Sequence, residues 1–371
     1  MFLFFSYIHH RTSFSLFFLF LFFFLVFLPP VFPATGFSDD PDVVPNNTWR
    51  GLMRFLDAGK GSQMDGLAEL KRYFGRFGYL PTPPENISFT DFFDDEFESA
   101  LVTYQRNLGL SVTGKLDLDT MTVIVSPRCG VSDSAAAATG GGGGRGVKAN
   151  RRYAYFYGEP RWVRPPPMTL TYAFSPAGAV DYLSPSDVRA AFVGAFSRWS
   201  AVIPVNFTET ADYSTADIRI GWFDGDHGDG EAFDGVLGVL AHAFSPENGR
   251  FHLDAAERWA VDFAAEKSKA AVDLESVATH EIGHVLGLAH SSAKEAIMYP
   301  SLSPRTKKVK LRMDDVEGIQ ALYGSNPNYK YDARLESEYS SGRGMDLERR
   351  KGLMKWSATM VIVGSLFSFG L

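Results

Sequence analysis

The sequence predicts an α+β domain preceded by a small all-helical domain. Residues 134–150 include the run SAAAATGGGGGRG, which is typical of a flexible linker and separates two differently patterned regions. Before this linker the apolar residues recur at helical spacing, whereas both strand and helix patterns follow it. Because the strand patterns mostly precede the helices, α+β is favoured over a doubly wound fold.

Composition is compatible with this arrangement. A chain of 371 residues has room for two to three domains, and 45% hydrophobic with 21% charged residues is typical of a globular protein. The formal net charge is −7 and no Lys/Arg stripe is present, so we expect no nucleic-acid partner.

The helical domain is expected over about residues 50–126. It begins with GLAELKRYFGRFGYLP, and the next helix has its apolar face at Phe93, Phe97, Leu101 and Tyr104. Gly109 ends that helix, and a further helix begins within TGKLDLDTMTVIV.

The α+β domain is expected over residues 153–326. Its strand patterns are MTLTYAF, ADIRIGWF and VLGVLAHAF. Helix N-caps are predicted at Ser184 (with Pro185 following), Asp273 and Asp314. The second of these helices runs through His284, and the last ends at Gly324.

The N-terminus resembles a secretory signal peptide. An apolar run over residues 14–28 follows His9, His10 and Arg11, and cleavage near Ala34 would remove residues 1–34. The alternative is a membrane anchor, but 15 apolar residues fall short of the ~20 that a membrane span needs.

The C-terminus has the pattern of a glycolipid (GPI) attachment signal. Small residues at 340–342 precede a charged spacer and an apolar tail over residues 357–371. We expect a stalk over 327–341, attachment at Ser341, removal of residues 342–371, and a location on the outer face of the cell membrane. An apolar tail or a short membrane helix is the alternative.

Secretion would also allow glycosylation and restrict the role of cysteine. Asn46, Asn86 and Asn206 lie in N-x-S/T sequons, although such sequons also occur by chance. Cys129 is the single cysteine, so it cannot form an internal disulfide. It pairs outside the chain, is inert, or has a chemical role.

Residues 280–290 read HEIGHVLGLAH and predict a catalytic zinc site. His280 and His284 are four residues apart and therefore share one helix face. Gly287 permits the chain to leave the helix and bring His290 to the same ion. Three imidazoles leave a fourth position open, and Glu281 can accept a proton from a water there. The alternative for HExxH alone is a chance match.

A second metal site is predicted from the other histidines. The chain has eight, of which His9 and His10 lie in the presumed signal peptide, which leaves six. Three form the motif above, and the other three, with one aspartate, make a closed tetrahedral set for a structural zinc: His227, Asp229, His242 and His252. A buried histidine without a metal is the alternative for any one of them.

A calcium site is predicted between these histidines. Asp234, Asp254 and Glu257 supply hard oxygen ligands around a glycine-containing loop, which suits Ca²⁺. Solvated acidic loop residues are the alternative.

These motifs resemble those of the matrix metalloproteinases, a family within the metzincins. HEIGHVLGLAHS followed by AIMYP matches the zinc motif, PRCGVSD resembles the cysteine switch, and DDVEGIQALYG resembles the final helix. The resemblance covers most of residues 50–324. It implies a zincin-like domain with a twisted, mostly parallel sheet and three helices, after a peptidoglycan-binding-like prodomain. FHLDAAE and the tail resemble the plant subgroup without a hemopexin domain.

The resemblance also implies roles for individual residues. Cys129, in the switch at 127–133, would bind the catalytic zinc in a latent precursor, with Arg128 and Asp133 paired to hold it, and Met298 would form the turn beneath the zinc. Cleavage near Arg152, which ends a propeptide over 35–152, would free an ammonium group to pair with Asp314 or Asp315. Backbone oxygens would complete the calcium site: Gly235, Leu237 and Val239.

Departures from the family pattern affect three predictions. Ser132 replaces the usual proline of the switch. Arg250 stands where an aspartate would bind a second calcium, which leaves only Asp217 for that site. Ser276 is small and Leu302 replaces a common tyrosine, so we expect a deep pocket for a bulky apolar residue after the cut.

The sequence therefore predicts a secreted, latent zinc metalloendopeptidase that contains two zinc ions and at least one calcium ion. Its partners would be protein or peptide substrates, an activating protease and the outer membrane leaflet. The alternative is a wall-glycan-binding module with a degenerate protease. Astacin-like and adamalysin-like enzymes share the zinc motif, but they usually need disulfides that one cysteine cannot make.

Overall fold

The computed structural model describes residues 49–84, 88–133, 152–177 and 179–330. The predicted signal peptide, linker and lipid-attachment signal lie outside these ranges, as do Asn46, Asn86 and Ser341. Within the described ranges, every helix is too short or too polar to cross a bilayer.

The first folded part is all-helical, as the sequence predicts. It contains a 3₁₀ helix and three α-helices: Arg50–Phe55, α1 (Leu67–Arg76), α2 (Asp95–Asn107) and α3 (Leu118–Ile124). The Asp94 carboxylate caps α2 by accepting from the backbone N–H of Phe97 at 2.8 Å, and Asp117 caps α3 in the same way. Phe93, which the sequence places on α2, precedes its N-cap but is fully buried.

The core of the helical domain is aromatic and extends into the next domain. Phe74, Phe97 and Tyr104 are fully buried there, and their rings meet at tilted or edge-on angles. Phe233 and Tyr299, which lie after the linker in sequence, belong to the same apolar cluster. The helical domain is therefore packed against the α+β domain through shared apolar burial.

A six-stranded sheet in the order β1-β5-β6-β4-β2-β3 forms the frame of the α+β domain. Its strands are β1 (Arg128–Cys129), β2 (Met168–Phe174), β3 (Val205–Glu209), β4 (Ile218–Phe223), β5 (Val239–Ala243) and β6 (Arg250–Asp254). All neighbouring strands are parallel except β5 and β6. A separate parallel pair contains β7 (Trp259–Ala260) and β8 (Val272–Asp273). The mostly parallel sheet is as predicted.

Three helices complete this domain: α4 (Pro185–Ser200), α5 (Leu274–Val285) and α6 (Met313–Tyr323). Ser184 caps α4 with Pro185 at its first position, and Asp273 caps α5, both as predicted. The fully buried Trp199 on α4 donates its indole N–H to the carbonyl of Thr279 at 2.9 Å. This contact fixes α5, which carries the site, against α4.

The predicted N-cap of the last helix is wrong by two residues. Arg312 is the N-cap of α6, and the Asp315 carboxylate accepts from its backbone N–H at 2.8 Å. Asp314 lies in the first turn, where its carboxylate accepts instead from the Ser291 hydroxyl and the backbone N–H of Arg152. Those long-range partners cannot be read from the local sequence.

Candidate metal centres and active site

The three histidines of the zinc motif converge on one point. His280 and His284 project from the same face of α5 with their Nε2 atoms 3.1 Å apart. The helix ends at Val285, and Gly287 adopts a φ of 108°, which lets the chain turn back. His290 then brings its Nε2 to 3.1 Å from that of His284.

Each of these imidazoles has its other ring nitrogen in a hydrogen bond. Nδ1 of His280 donates to the Ile297 carbonyl and Nδ1 of His284 to the Leu288 carbonyl, both at 2.7 Å. Nδ1 of His290 donates to Asp133 Oδ1 at 2.6 Å. These bonds leave all three Nε2 lone pairs facing one another. Tetrahedral zinc ligands at 2.0–2.1 Å lie roughly 3.3 Å apart, so the three histidines fit zinc.

Cys129 occupies the fourth corner of this cluster. Its Sγ lies 3.4 Å from Nε2 of His284, and the four potential ligand atoms lie within 4.8 Å of one another. Burial raises the pKa of the thiol well above its ordinary value, and the nearby Glu281 raises it further. A bound divalent cation has the opposite effect: it lowers the pKa of a coordinating thiol so far that the thiol loses its proton.

The switch segment lies between β5 and the segment around Pro300. The backbone N–H groups of Arg128 and Gly130 donate to the carbonyls of Gly238 and Ala241 along β5. On the other side, the N–H of Cys129 donates to the Pro300 carbonyl at 2.9 Å. Hydrogen bonds on both sides therefore hold Cys129 over the histidines.

Arg128 and Asp133 form the predicted ion pair. The guanidinium of Arg128 is completely buried, contacts Asp133 Oδ1 at 2.7 Å and lies 3.7 Å from the centre of the Phe77 ring. The Tyr79 hydroxyl donates to Asp133 Oδ2 at 2.8 Å. Burial alone would raise the pKa of Asp133, but Arg128 and His290 outweigh it and hold that pKa well below its ordinary value.

Glu281 is a buried carboxylate that faces the Cys129 thiol. Neither of its side-chain oxygens has a hydrogen-bond partner among the described residues, and the residue is fully buried. Burial raises its pKa to about 8. An unpartnered buried carboxylate next to a metal-ligand cluster is typical of a reacting group and not of a structural one.

Met298 lies directly beneath α5. Gly283 approaches its sulfur so closely that a Cβ at this position would collide with it. The backbone N–H groups of Ile297 and Met298 both donate to Asp315, at 2.9 and 3.0 Å. The sequence predicts the Met-turn but not that Asp315, on α6, fixes it.

The second predicted metal cluster also assembles. Asp229 Oδ2 lies 2.9 Å from His227 Nε2, 2.8 Å from His242 Nε2 and 2.8 Å from His252 Nδ1. Burial lowers the pKa of His242 and of His252 to about 4. Three imidazoles around one carboxylate oxygen fit a closed four-ligand zinc site.

The predicted calcium loop brings its three carboxylates together. Burial and the neighbouring carboxylates raise the pKa of Asp254 to about 6 and that of Glu257 to about 9. Glu257 Oε2 is buried and has no hydrogen-bond partner among the described residues. Gly235 and Leu237 both have positive φ, which shapes the loop around these carboxylates. A hard divalent cation would satisfy this arrangement.

Asp217 is the residue predicted to bind a second calcium ion. Its carboxylate accepts from Arg164 at 3.1 Å and from the backbone N–H and hydroxyl of Thr171 at 2.8 and 2.9 Å. The second calcium at Asp217 stays a prediction, and in this structure Arg164 and Thr171 are the groups that contact its two oxygens.

A cavity lies between Cys129 and the base of α5. Ser276 and Leu302 line it, as the sequence suggests, together with Lys308. Its volume is about 20 Å³, so the predicted deep pocket is not open in this structure. Lys308 was missed because the loop that carries it has no helix or strand pattern.

Comparisons with known proteins agree with this geometry. Residues 161–324 match the family model described as Matrixin, and residues 63–124 match that of a putative peptidoglycan binding domain. The chain is 54% identical over 301 residues to metalloendoproteinase 4-MMP of Arabidopsis thaliana, covering 81% of this chain and 85% of that protein. It is 44% identical to metalloendoproteinase 1 of Glycine max, covering 75% of this chain and 89% of that protein.

Proposed function

Because the chain belongs to the matrixin family of zinc-dependent metalloendopeptidases, we propose that it is a secreted precursor that cleaves extracellular proteins after losing its propeptide. The observation that carries this proposal is the position of Cys129, whose Sγ lies among the three histidine Nε2 atoms. A thiolate there leaves no room for a water or a substrate carbonyl. Removal of residues 35–152 would open that position.

His280, His284 and His290 would hold the catalytic zinc. Zinc held this way supplies a Lewis acid and lowers the pKa of a coordinated water to roughly 7. Glu281 accepts the proton from the attacking water and delivers it to the leaving amine. Its buried position beside the three histidines suits a group that takes a proton and returns it.

The contact between Arg152 and Asp314, on α6, supports an activation cut at the end of the propeptide. The backbone N–H of Arg152 donates to Asp314 Oδ1 at 3.1 Å in the uncleaved chain. A cut after Arg152, which ends the predicted propeptide, would make the backbone nitrogen of Tyr153 the new ammonium group, and this nitrogen also donates to the Asp314 carboxylate. Asp314 is a better partner than Asp315, whose oxygens accept from the backbone of Ile297, Met298 and Arg312.

The remaining features of the proposal concern further ions and location. A structural zinc would bind at the Asp229 cluster and one calcium at the Asp254 loop. The exposed Asn206, on β3, would carry a glycan. The mature enzyme would be attached by a GPI anchor to the outer leaflet of the cell membrane.

The latency proposal is tested with the uncleaved Cys129→Ser precursor. We expect it to hydrolyse a fluorogenic peptide that the wild-type precursor leaves intact, because serine is a much weaker zinc ligand than a thiolate. The matched control is Ser132→Ala, which alters the same segment but keeps the thiol. An inert Cys129→Ser precursor whose cleaved form is active would overturn latency through Cys129.

The same assay separates the enzyme from the glycan-binding alternative. That alternative needs a degenerate protease, whereas all three zinc ligands and Glu281 are in place. Adding Glu281→Ala to the Cys129→Ser precursor must abolish the released activity. Activity that persists at the level of the Cys129→Ser precursor would remove Glu281 from the mechanism.

A further inference from the structure

The three zinc-ligand imidazoles differ in what holds their outer nitrogen. His280 and His284 donate to carbonyls of Ile297 and Leu288, which belong to the catalytic domain itself. His290 donates instead to the side chain of Asp133, which belongs to the switch segment. Of the three, only the His290 contact is removed with the propeptide.

Asp133 is held firmly for this contact. It is almost fully buried, its backbone N–H donates to the Phe77 carbonyl at 3.1 Å, and Tyr79 donates to its Oδ2. Its Oδ1 accepts from both Arg128 and His290, at 2.7 and 2.6 Å. The ion-pair partner of Arg128 thus also touches a metal ligand directly.

We propose that Asp133 is a positioning residue for the third zinc ligand, so that the propeptide stabilises bound zinc as well as blocking it. The carboxylate fixes the His290 tautomer with hydrogen on Nδ1, orients the ring, and makes Nε2 a stronger donor to the metal. The propeptide therefore contributes to the site twice, through Cys129 as a ligand and through Asp133 behind His290. This inference rests on the proposed latency.

As a consequence, the precursor retains zinc better than the mature enzyme even without the contribution of the Cys129 thiolate. Loss of such an outer partner typically weakens metal affinity 10- to 100-fold. Zinc would be held most tightly before activation and would become more easily lost once the propeptide is gone.

The test measures zinc release to a chromophoric chelator from uncleaved Cys129→Ser precursors, which removes the thiolate from the comparison. The catalytic-site phase is the one that His284→Ala abolishes. We expect Asp133→Asn to accelerate that phase about 10-fold or more. Tyr79→Phe removes the bond to the other oxygen, Oδ2, and should leave the rate within about twofold. The proposal would be overturned if Cys129→Ser precursors with and without Asp133→Asn released the catalytic zinc at the same rate.

Loss of docking is the competing explanation and has its own control. Arg128→Lys weakens the ion pair but leaves the bond between Asp133 and His290. If Arg128→Lys accelerates release as much as Asp133→Asn, docking accounts for the effect and the positioning role falls. A spectroscopic readout is independent of docking: the Nδ1–H proton of His290, bonded to a carboxylate, should shift upfield in Asp133→Asn and stay unchanged in Tyr79→Phe.

Different results would refute latency through Cys129 and positioning of His290 by Asp133. If the Cys129→Ser precursor is inert but Asp133→Asn still releases zinc faster, latency through the thiol falls and positioning stands. If the Cys129→Ser precursor is active but zinc release is insensitive to Asp133, latency stands and positioning falls.

Discussion

Sγ of Cys129 lies 3.4 Å from Nε2 of His284, although 155 positions separate the two residues. Two secondary-structure elements bring these residues together. The two-residue strand β1 carries Cys129 and pairs with β5, and helix α5 carries His284 and is fixed against α4. Neither alone would place a thiol within reach of the histidines. The four expectations that follow concern the residues around this contact and the two other candidate metal sites.

Glu281→Gln should abolish hydrolysis while the enzyme keeps its zinc. Glutamine has the same shape but cannot accept a proton, so the activated enzyme should lose about 10²- to 10⁴-fold in kcat. Peptide hydrolysis and metal content measured on the same sample check this. A variant with full zinc and a rate close to that of the wild type would remove Glu281 from the mechanism.

His242→Ala should lower the zinc content by one ion per chain and reduce thermal stability. Its imidazole is one of the three around Asp229 Oδ2, and a closed structural site contributes directly to folding. Metal analysis and thermal unfolding provide the measurement. His284→Ala is the comparison, since it should lose one zinc together with all activity. Unchanged metal content in His242→Ala would contradict a structural zinc at this cluster.

Glu257→Gln should remove the calcium dependence of stability. The wild-type Tm should rise when calcium is added, because the cation would bind the carboxylates of Asp234, Asp254 and Glu257 and offset the burial that raises the pKa of Glu257. The variant lacks one of those charges and should respond little. Asp217→Asn serves as the control and should keep the wild-type response. An unaltered calcium response in Glu257→Gln would place the ion elsewhere.

Lys308→Met should stabilise the protein, and most of all below pH 8. Burial lowers the pKa of Lys308 to about 8, although Asp315 and Glu295 favour its charge and Arg312 opposes it. Below pH 8 the folded state holds a half-buried ammonium group, which donates to the Lys294 carbonyl but is partly desolvated. This cost fades as the pH rises toward 10.5, where the unfolded lysine also loses its proton. The gain should be about 1–3 kcal/mol at pH 7. Denaturant unfolding from pH 7 to 10.5 measures it, and a pH-independent difference would contradict the explanation.

Local sequence was sufficient to predict the residues that cluster at the catalytic metal site and most of the helix boundaries. The spacing of His280 and His284 and the left-handed Gly287 specify the catalytic cluster because they act within a few residues of one another. The predicted caps at Ser184 and Asp273 are local for the same reason. Periodicity alone therefore predicts the helical domain and the metal-binding helix.

Contacts between distant segments could not be predicted in this way. Asp315 was expected only as a partner for a new N-terminus, yet it holds the Met-turn across the domain. Asp133 was expected to pair with Arg128, and its bond to His290 appears only once the switch lies over α5. The sequence also does not show that Arg164 approaches Asp217, the residue predicted to bind a second calcium ion.

The pairing of β1 with β5 has a consequence for the enzyme after activation. When the propeptide leaves, β5 becomes the outer strand of the sheet, and the carbonyls of Gly238 and Ala241 lose their partners. An unpaired strand edge is a template on which an extended peptide can pair by β-augmentation, including a strand from a second copy of the same protein. We therefore expect the mature domain to self-associate at high concentration, and a peptide inhibitor that pairs along β5 to keep it monomeric.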